Sequence, residues 1–420
     1  MKLFSLFSLI CLAATGFAQS ASEPVPLSAL VERIVAHHPE LRFYEAELAA
    51  AQSGARAAGA RLNPELSLEL GRRRVTDPAG LATEGTAWGV SVAQAFEWPG
   101  RIQLRKAVAN RDVALAELGL ARFRAALSAR AHVLAFDLHA ATQRAAAVGE
   151  VARRFAELKE IFLARDPAGI TPLLETRVIE ASELALQRRA TEAALAAERA
   201  RVELNQLRGA AIDEPLVLDP PWVSFARAPD DAALLAAARE RNFTYLARKL
   251  ELEQQGFAVR LARHENRPDI AIAPFYSEAK AGERETNYGV GLSLSVPLGE
   301  RRRAGVDTAK ARRQQAEVAV TLAERELERE VLAAAREFAA KVAETERWSP
   351  DTVAKFRDAA ELADRHYRLG AVPIATYVEL QTRYLDAVEA LLDTQREAVS
   401  AGLRLQELTG LNFNAVTFAP

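Results

Sequence analysis

Four stretches of this chain alternate residue by residue between apolar and polar or small side chains. Leu66, Leu68 and Leu70 alternate with Glu65, Ser67 and Glu69, and Trp88, Val90, Val92, Phe96 and Trp98 share a face against Gly89, Ser91, Ala93 and Ala95. Ile270 and Ile272 alternate with Ala271 and Ala273, and Tyr288, Val290, Leu292, Leu294 and Val296 with Gly289, Gly291, Ser293 and Ser295. This period of two predicts strands at about 64–72, 86–98, 268–277 and 288–297, joined in pairs by polar, Gly-containing loops at 72–85 and 280–287. After each pair the period lengthens to that of helices, rich in Ala, Leu, Glu and Arg, at about 102–164 with 172–207 and 302–369 with 373–408. Pro350 is the one proline inside these stretches. The longer ones would reach about 100 Å, more than a globular domain usually holds. Tyr377, Leu380, Tyr384, Val388, Leu391 and Leu392 form a seam of coiled-coil spacing in the last one.

The two sets are halves of a repeat of roughly 200 residues. Leu30–Val35 before His37-His38-Pro39 has its counterpart in Leu234–Arg239 before Arg241-Asn242-Phe243. Asn63-Pro64-Glu65-Leu66 returns as Arg267-Pro268-Asp269-Ile270, and Leu204–Gly209 as Leu405–Gly410. The ordered set gives a first repeat over 19–212, a linker over 213–230 with Pro215, Pro220, Pro221 and Pro229, and a second repeat over 231–420.

Composition narrows the classes. The chain is 50% apolar and 26% charged with a net charge of −2, which suits neither disorder nor nucleic-acid binding. Residues 1–18 read as a signal peptide: Lys2, an apolar core from Leu3 to Ala14, and Gly16-Phe17-Ala18 before the cut. Cys11, the only cysteine, falls within that core behind Ile10, against lipidation. No apolar run reaches the length of a membrane helix, so any membrane span must use strands. A half-buried soluble sheet alternates in the same way; the long helices beside the strands favour the membrane. Four strands cannot close a barrel, and open edges in lipid cost several kcal/mol per unpaired group. Three copies would supply twelve strands.

At this point the sequence resembles the TolC-like outer membrane factors over nearly the whole mature chain. Ala95-Phe96-Glu97-Trp98-Pro99-Gly100-Arg101 looks like the strand-to-helix junction of the CzcC-like heavy-metal branch, with Val296-Pro297-Leu298-Gly299 in the second half. Tyr367-Arg368-Leu369-Gly370 followed by Leu385-Asp386-Ala387 resembles the hairpin-tip signature. The resemblance implies an α+β outer membrane protein: a homotrimer with a twelve-stranded barrel in outer membrane lipid and a long periplasmic helical barrel. A smaller mixed region surrounds the waist. Its partners would be a periplasmic adaptor and an inner membrane RND-type pump. The adaptor would meet the tips at Arg165, Asp166 and Gly169 and at Arg368, Leu369 and Gly370. The first tip lacks the Tyr and Leu-Gly of the second. Glu175 and Glu379 would ring a periplasmic gate, and Phe96, Trp98, Pro99, Gly100, Pro297 and Gly299 would shape the junctions.

No catalytic constellation, phosphate loop or cofactor motif is visible, and the six histidines lack zinc-site spacing. The expectation is an efflux duct, for heavy-metal cations first and for drugs or other small molecules second. A periplasmic coiled-coil scaffold would explain the helices but not the strands.

Overall fold

The computed structural model describes residues 25–76, 78, 80, 82–163, 170–219, 222–295, 300–411 and 416–419. The first repeat runs through α1 (Leu27–His37), α2 (Leu41–Ala58), β1 (Glu65–Thr76), β2 (Ala82–Phe96), α3 (Arg101–Leu163) and α4 (Ile170–Arg208). After β3 (Trp222–Phe225), the second runs through α5 (Asp231–Arg241), α6 (Phe243–Glu265), β4 (Asp269–Ala281), β5 (Glu283–Ser295), α7 (Glu300–Arg347), α8 (Pro350–Arg368), α9 (Ile374–Thr409) and β6 (Val416–Ala419). The expected signal peptide over 1–18 and the expected site residues Arg165, Asp166, Gly169, Pro297 and Gly299 lie outside the described residues.

Four strands form one antiparallel sheet in the order β1-β2-β4-β5, so β1 and β5 are its edges. Its ladders run past the expected strand ends. Arg72–Thr76 pairs with Ala82–Thr86, and Lys280 with Arg284. Most of the two expected loops is therefore strand, turned by Gly80 and Gly282 at φ 86° and 88°. A Cβ on Gly85 would collide with the Lys280 carbonyl, so only glycine fits there.

The helices stack below the sheet in two tiers. Next to it, α2 packs on α3, α3 on α6 and α6 on α7. Farther away, α4 packs on α3, α3 on α9, and α9 on both α7 and α8. The 63-residue α3 spans both tiers, about 95 Å. Its counterpart is not one helix over 302–369 but two. Pro350 cannot donate to the preceding turn, and Ser349 caps the new helix by accepting from the Thr352 amide at 3.3 Å.

The 213–230 segment is more than a linker. Its β3 pairs antiparallel with β6 from the far end of the second repeat, and Val25 bridges Leu218. Both repeats are thereby tied together at the waist. There Phe136, Leu234, Val331, Phe338 and Leu405 form one core, and Leu30, Ile34, Leu134 and Leu204 another. A third core near the helix tips contains Val151, Phe155, Ile179, Tyr367 and Tyr377.

Candidate functional site: wall, junction and tip

The ladder registers assign every strand residue to one of two faces by its parity, because paired residues point the same way. One face holds Leu66, Leu68 and Leu70 beside Val92, Val90 and Trp88, and then Tyr276, Val290 and Tyr288. Most of these large apolar side chains are exposed, with Leu70 at 89%, while Val90 and Tyr276 are half-buried. The opposite face holds Ser67, Ser91, Ala93, Ser277, Asn287, Gly289, Gly291 and Ser293. It carries the carboxylates Glu65, Glu69, Asp269, Glu283 and Glu285 against the single cation Arg73, which ion-pairs with Glu285. Apart from Phe275 on the inner parity and Glu278 on the outer one beside Trp88, the wall is apolar outside and small, polar and acidic inside, the arrangement of a membrane strand facing a wet lumen.

The first junction is built around two arginines that sequence reasoning left unassigned. Arg101, mostly buried, ion-pairs with Asp269 and donates to the carbonyls of His264 and Arg267 at 3.1 and 3.2 Å. It therefore fastens the start of α3 to the end of α6 and the start of β4. One turn on, Arg105 donates to both carboxylate oxygens of Glu97 at 2.6 and 3.1 Å and to the carbonyls of Ala58 and Ala60. Among the expected junction residues, Phe96 ends β2 and Trp98 lies beyond it, with the Arg267 guanidinium 5.1 Å above its ring. Pro99 stops the ladder, and Gly100 turns into the helix at φ 90°, close against His264.

At the far end, α8 closes on a left-handed glycine. Gly370 sits at φ 74°, with Gly370 N–H donating to the Tyr367 carbonyl and Ala371 N–H to that of His366, both at 2.9 Å. These two hydrogen bonds satisfy carbonyls of the last helical turn. Behind it the Tyr367 and Tyr377 rings stack at 5.2 Å, and Phe155 lies 5.0 Å from Tyr377. Burial, with Asp364 nearby, pushes the Tyr377 hydroxyl well above the ordinary phenol range. Leu369 projects from this rigid base at 80% exposure, while Arg368 is held by Asp364 and Glu157.

Glu175 and Glu379 are each the sixth residue of their helices, α4 and α9. They match when counted from the tip. They do not match from the glycines that end the helices, because α4 has 39 residues and α9 has 36. Glu379 is exposed and pairs with Arg383 one turn along, and Glu175 is half-buried. Both lie far from the junction residues, so the expected sites form three separate regions along the molecule.

Comparison with known proteins agrees with this geometry. Residues 234–411 match the family described as outer membrane efflux protein. The nickel-cobalt-cadmium resistance protein NccC of Alcaligenes xylosoxydans xylosoxydans is 26% identical over 316 residues, 72% of this chain and 68% of that one. The Campylobacter jejuni CmeC outer membrane channel superposes with a TM-score of 0.75 at 14% identity, covering 91% of this chain and 85% of its own. The Neisseria gonorrhoeae MtrE outer membrane channel gives 0.74 at 17%, covering 91% and 88%. The chain has the fold of the TolC-like outer membrane channels, and its residues 234–411 match the outer membrane efflux family.

In a TolC-like channel the sheet crosses the outer membrane and the helices extend into the periplasm. The β1–β2 and β4–β5 turns then face outward and the Gly370 tip faces the cell interior. Among the described residues no helix is long and apolar enough to cross a membrane. Nor does any cluster of three or more metal-ligating side chains occur among them. His132 and His139 are half-buried on α3, and that desolvation lowers their affinity for protons.

Proposed function

We propose that three copies close head to tail into a duct that exports divalent heavy-metal cations. One observation supports the closure above others: each level of the molecule is an open row of four elements. These rows are β1-β2-β4-β5 in the sheet, α2-α3-α6-α7 beneath it, and α4-α3-α9-α7/α8 below that. Each row has a first-repeat element at one edge and a second-repeat element at the other. Joining unlike edges is a heterologous contact, which forms a ring when the rotation closes. Three copies give twelve strands, within the range of membrane barrels, and leave no edge in lipid.

The cargo reading rests on two supports. NccC is described as a nickel-cobalt-cadmium resistance protein. The luminal face of the sheet is acidic, and rings of carboxylates favour cations. In this reading Glu175 and Glu379 of three copies gather six carboxylates near the periplasmic entrance. The tips carrying Arg368, Leu369 and Gly370 on one hairpin and Arg165, Asp166 and Gly169 on the other dock a periplasmic adaptor, which joins the duct to an RND-type pump in the inner membrane. Deleting the gene should sensitise cells to nickel, cobalt or cadmium salts and leave their tolerance of apolar drugs unchanged. The opposite pattern would assign the duct to drug efflux instead.

A further inference from the structure

The lipid-facing parity of the sheet does not stay apolar to the turns. One rung above Leu70 and Trp88 comes a row in register across all four strands: Arg72 beside Thr86, Thr86 beside Lys280, and Lys280 beside Arg284. All four side chains are exposed. With strands about 4.8 Å apart, the row spans about 14 Å. We propose that this outward rung binds the phosphorylated headgroup of a lipid in the outer leaflet.

Position, charge and pairing support this assignment. The rung lies just beyond the apolar belt, and Trp88, Tyr276 and Tyr288 of the same face lie one and two rungs below it. Aromatic side chains at that level mark the interface between acyl chains and headgroups. Two of the outward cations are neutralised locally: Arg284 by Glu278 at 2.7 Å and Arg74 by Glu84 at 3.7 Å. Arg72 and Lys280 make no ion pair among the described residues, and each lies beside the Thr86 hydroxyl position. The inward neighbour Arg73 is different, for Glu285 neutralises it on the luminal side. Arg72 and Lys280 flank a hydroxyl on the lipid-facing parity, with Glu278 near Lys280 but bound to Arg284, and such a pair suits a multiply charged phosphate carried on an acyl anchor.

The test uses the full assembled protein purified in detergent, with native mass analysis of retained lipid. Wild type is exchanged into mixed micelles containing lipid A, into micelles containing phosphatidylcholine, and into lipid A micelles with millimolar inorganic pyrophosphate. The same is done for Arg72→Gln with Lys280→Gln, and for the luminal control Arg73→Gln. Wild type and the control should retain lipid A, pyrophosphate should not displace it, and phosphatidylcholine should wash away. The double variant should lose retention by about tenfold or more while keeping its heat-resistant oligomer. Equal retention by the double variant would overturn the proposal, as would equal retention of phosphatidylcholine. Displacement by pyrophosphate would also overturn it, by making the rung an ordinary anion site. None of these results would disturb the membrane reading, which fails only if the oligomer leaves the outer membrane fraction.

Discussion

The sheet and the helices use the same residue types in opposite ways. In the helical tiers Leu204, Leu405 and Tyr377 are completely buried, whereas in the sheet Leu70 and Tyr288 are 89% and 82% exposed. Neither region is misfolded; they answer to different solvents. The helices bury apolar side chains against one another because water surrounds them. The sheet turns its apolar side chains outward and keeps Ser67, Ser91 and Ser293 on the other parity, which only a lipid exterior and a wet interior reward. Polar satisfaction follows the same divide. Ion pairs such as Arg144–Asp393 and Arg189–Glu389 lace the surfaces of α3, α4 and α9. The middle of the lipid face carries none.

The largest effect should come from breaking that parity. Leu68→Arg with Leu292→Arg puts two charges on the lipid face, at about 2–4 kcal/mol each near the midplane. Assembled oligomer should vanish from outer membrane fractions on denaturing gels run without boiling. Ser67→Arg with Ser293→Arg, one residue away on the luminal parity, should assemble and alter conductance instead. Equal assembly of both pairs would break the comparison between the faces.

Next comes the seam where the two regions meet. Arg101→Ala removes the donor shared by Asp269 and two backbone carbonyls, and should cost about 2–4 kcal/mol. Thermal unfolding should fall accordingly, with Arg101→Lys recovering only part because it lacks the planar fork. This hub also marks the limit of the sequence. Arg101 was visible within Phe96-Glu97-Trp98-Pro99-Gly100-Arg101, but Asp269 lies in the other repeat and nothing local connects the two.

What was legible depended on which solvent pressed on each residue. Tyr288 to Leu294 were read as a strand because lipid demands strict alternation. Arg72–Thr76 and Ala82–Gly85 were read as loop because, beyond the apolar belt, both faces are polar and the alternation vanishes. The helix pairs are legible from their length. The break at Ser349-Pro350 was missed because the helical pattern resumes on both sides. β3 and β6 span four residues each and pair across nearly 200 positions, so no period could reveal them.

A smaller effect is expected at the tip. Nothing lies within 4 Å of a Cβ built on Gly370, so Gly370→Val strains only the backbone, by about 1–2 kcal/mol. The oligomer should stay intact while metal efflux is lost. Resistance at the wild-type level in this variant would remove the tip from the adaptor contact.

The smallest change in stability belongs to the gate. Glu175→Gln with Glu379→Gln alters two side chains outside the cores, and unfolding should shift by less than about 0.5 kcal/mol. Cation preference in single-channel recordings should nevertheless fall. Unchanged selectivity would place both residues outside the conducting path.

Everything in this account depends on the open rows being closed by other copies. Native mass measurement of the protein extracted from outer membranes into detergent tests that most directly. The account requires a single species at three times the mass of one chain, with its strand signal intact by circular dichroism. A stable monomer retaining the same strand signal would contradict it, because β1 and β5 would then be edges that a membrane protein had left open.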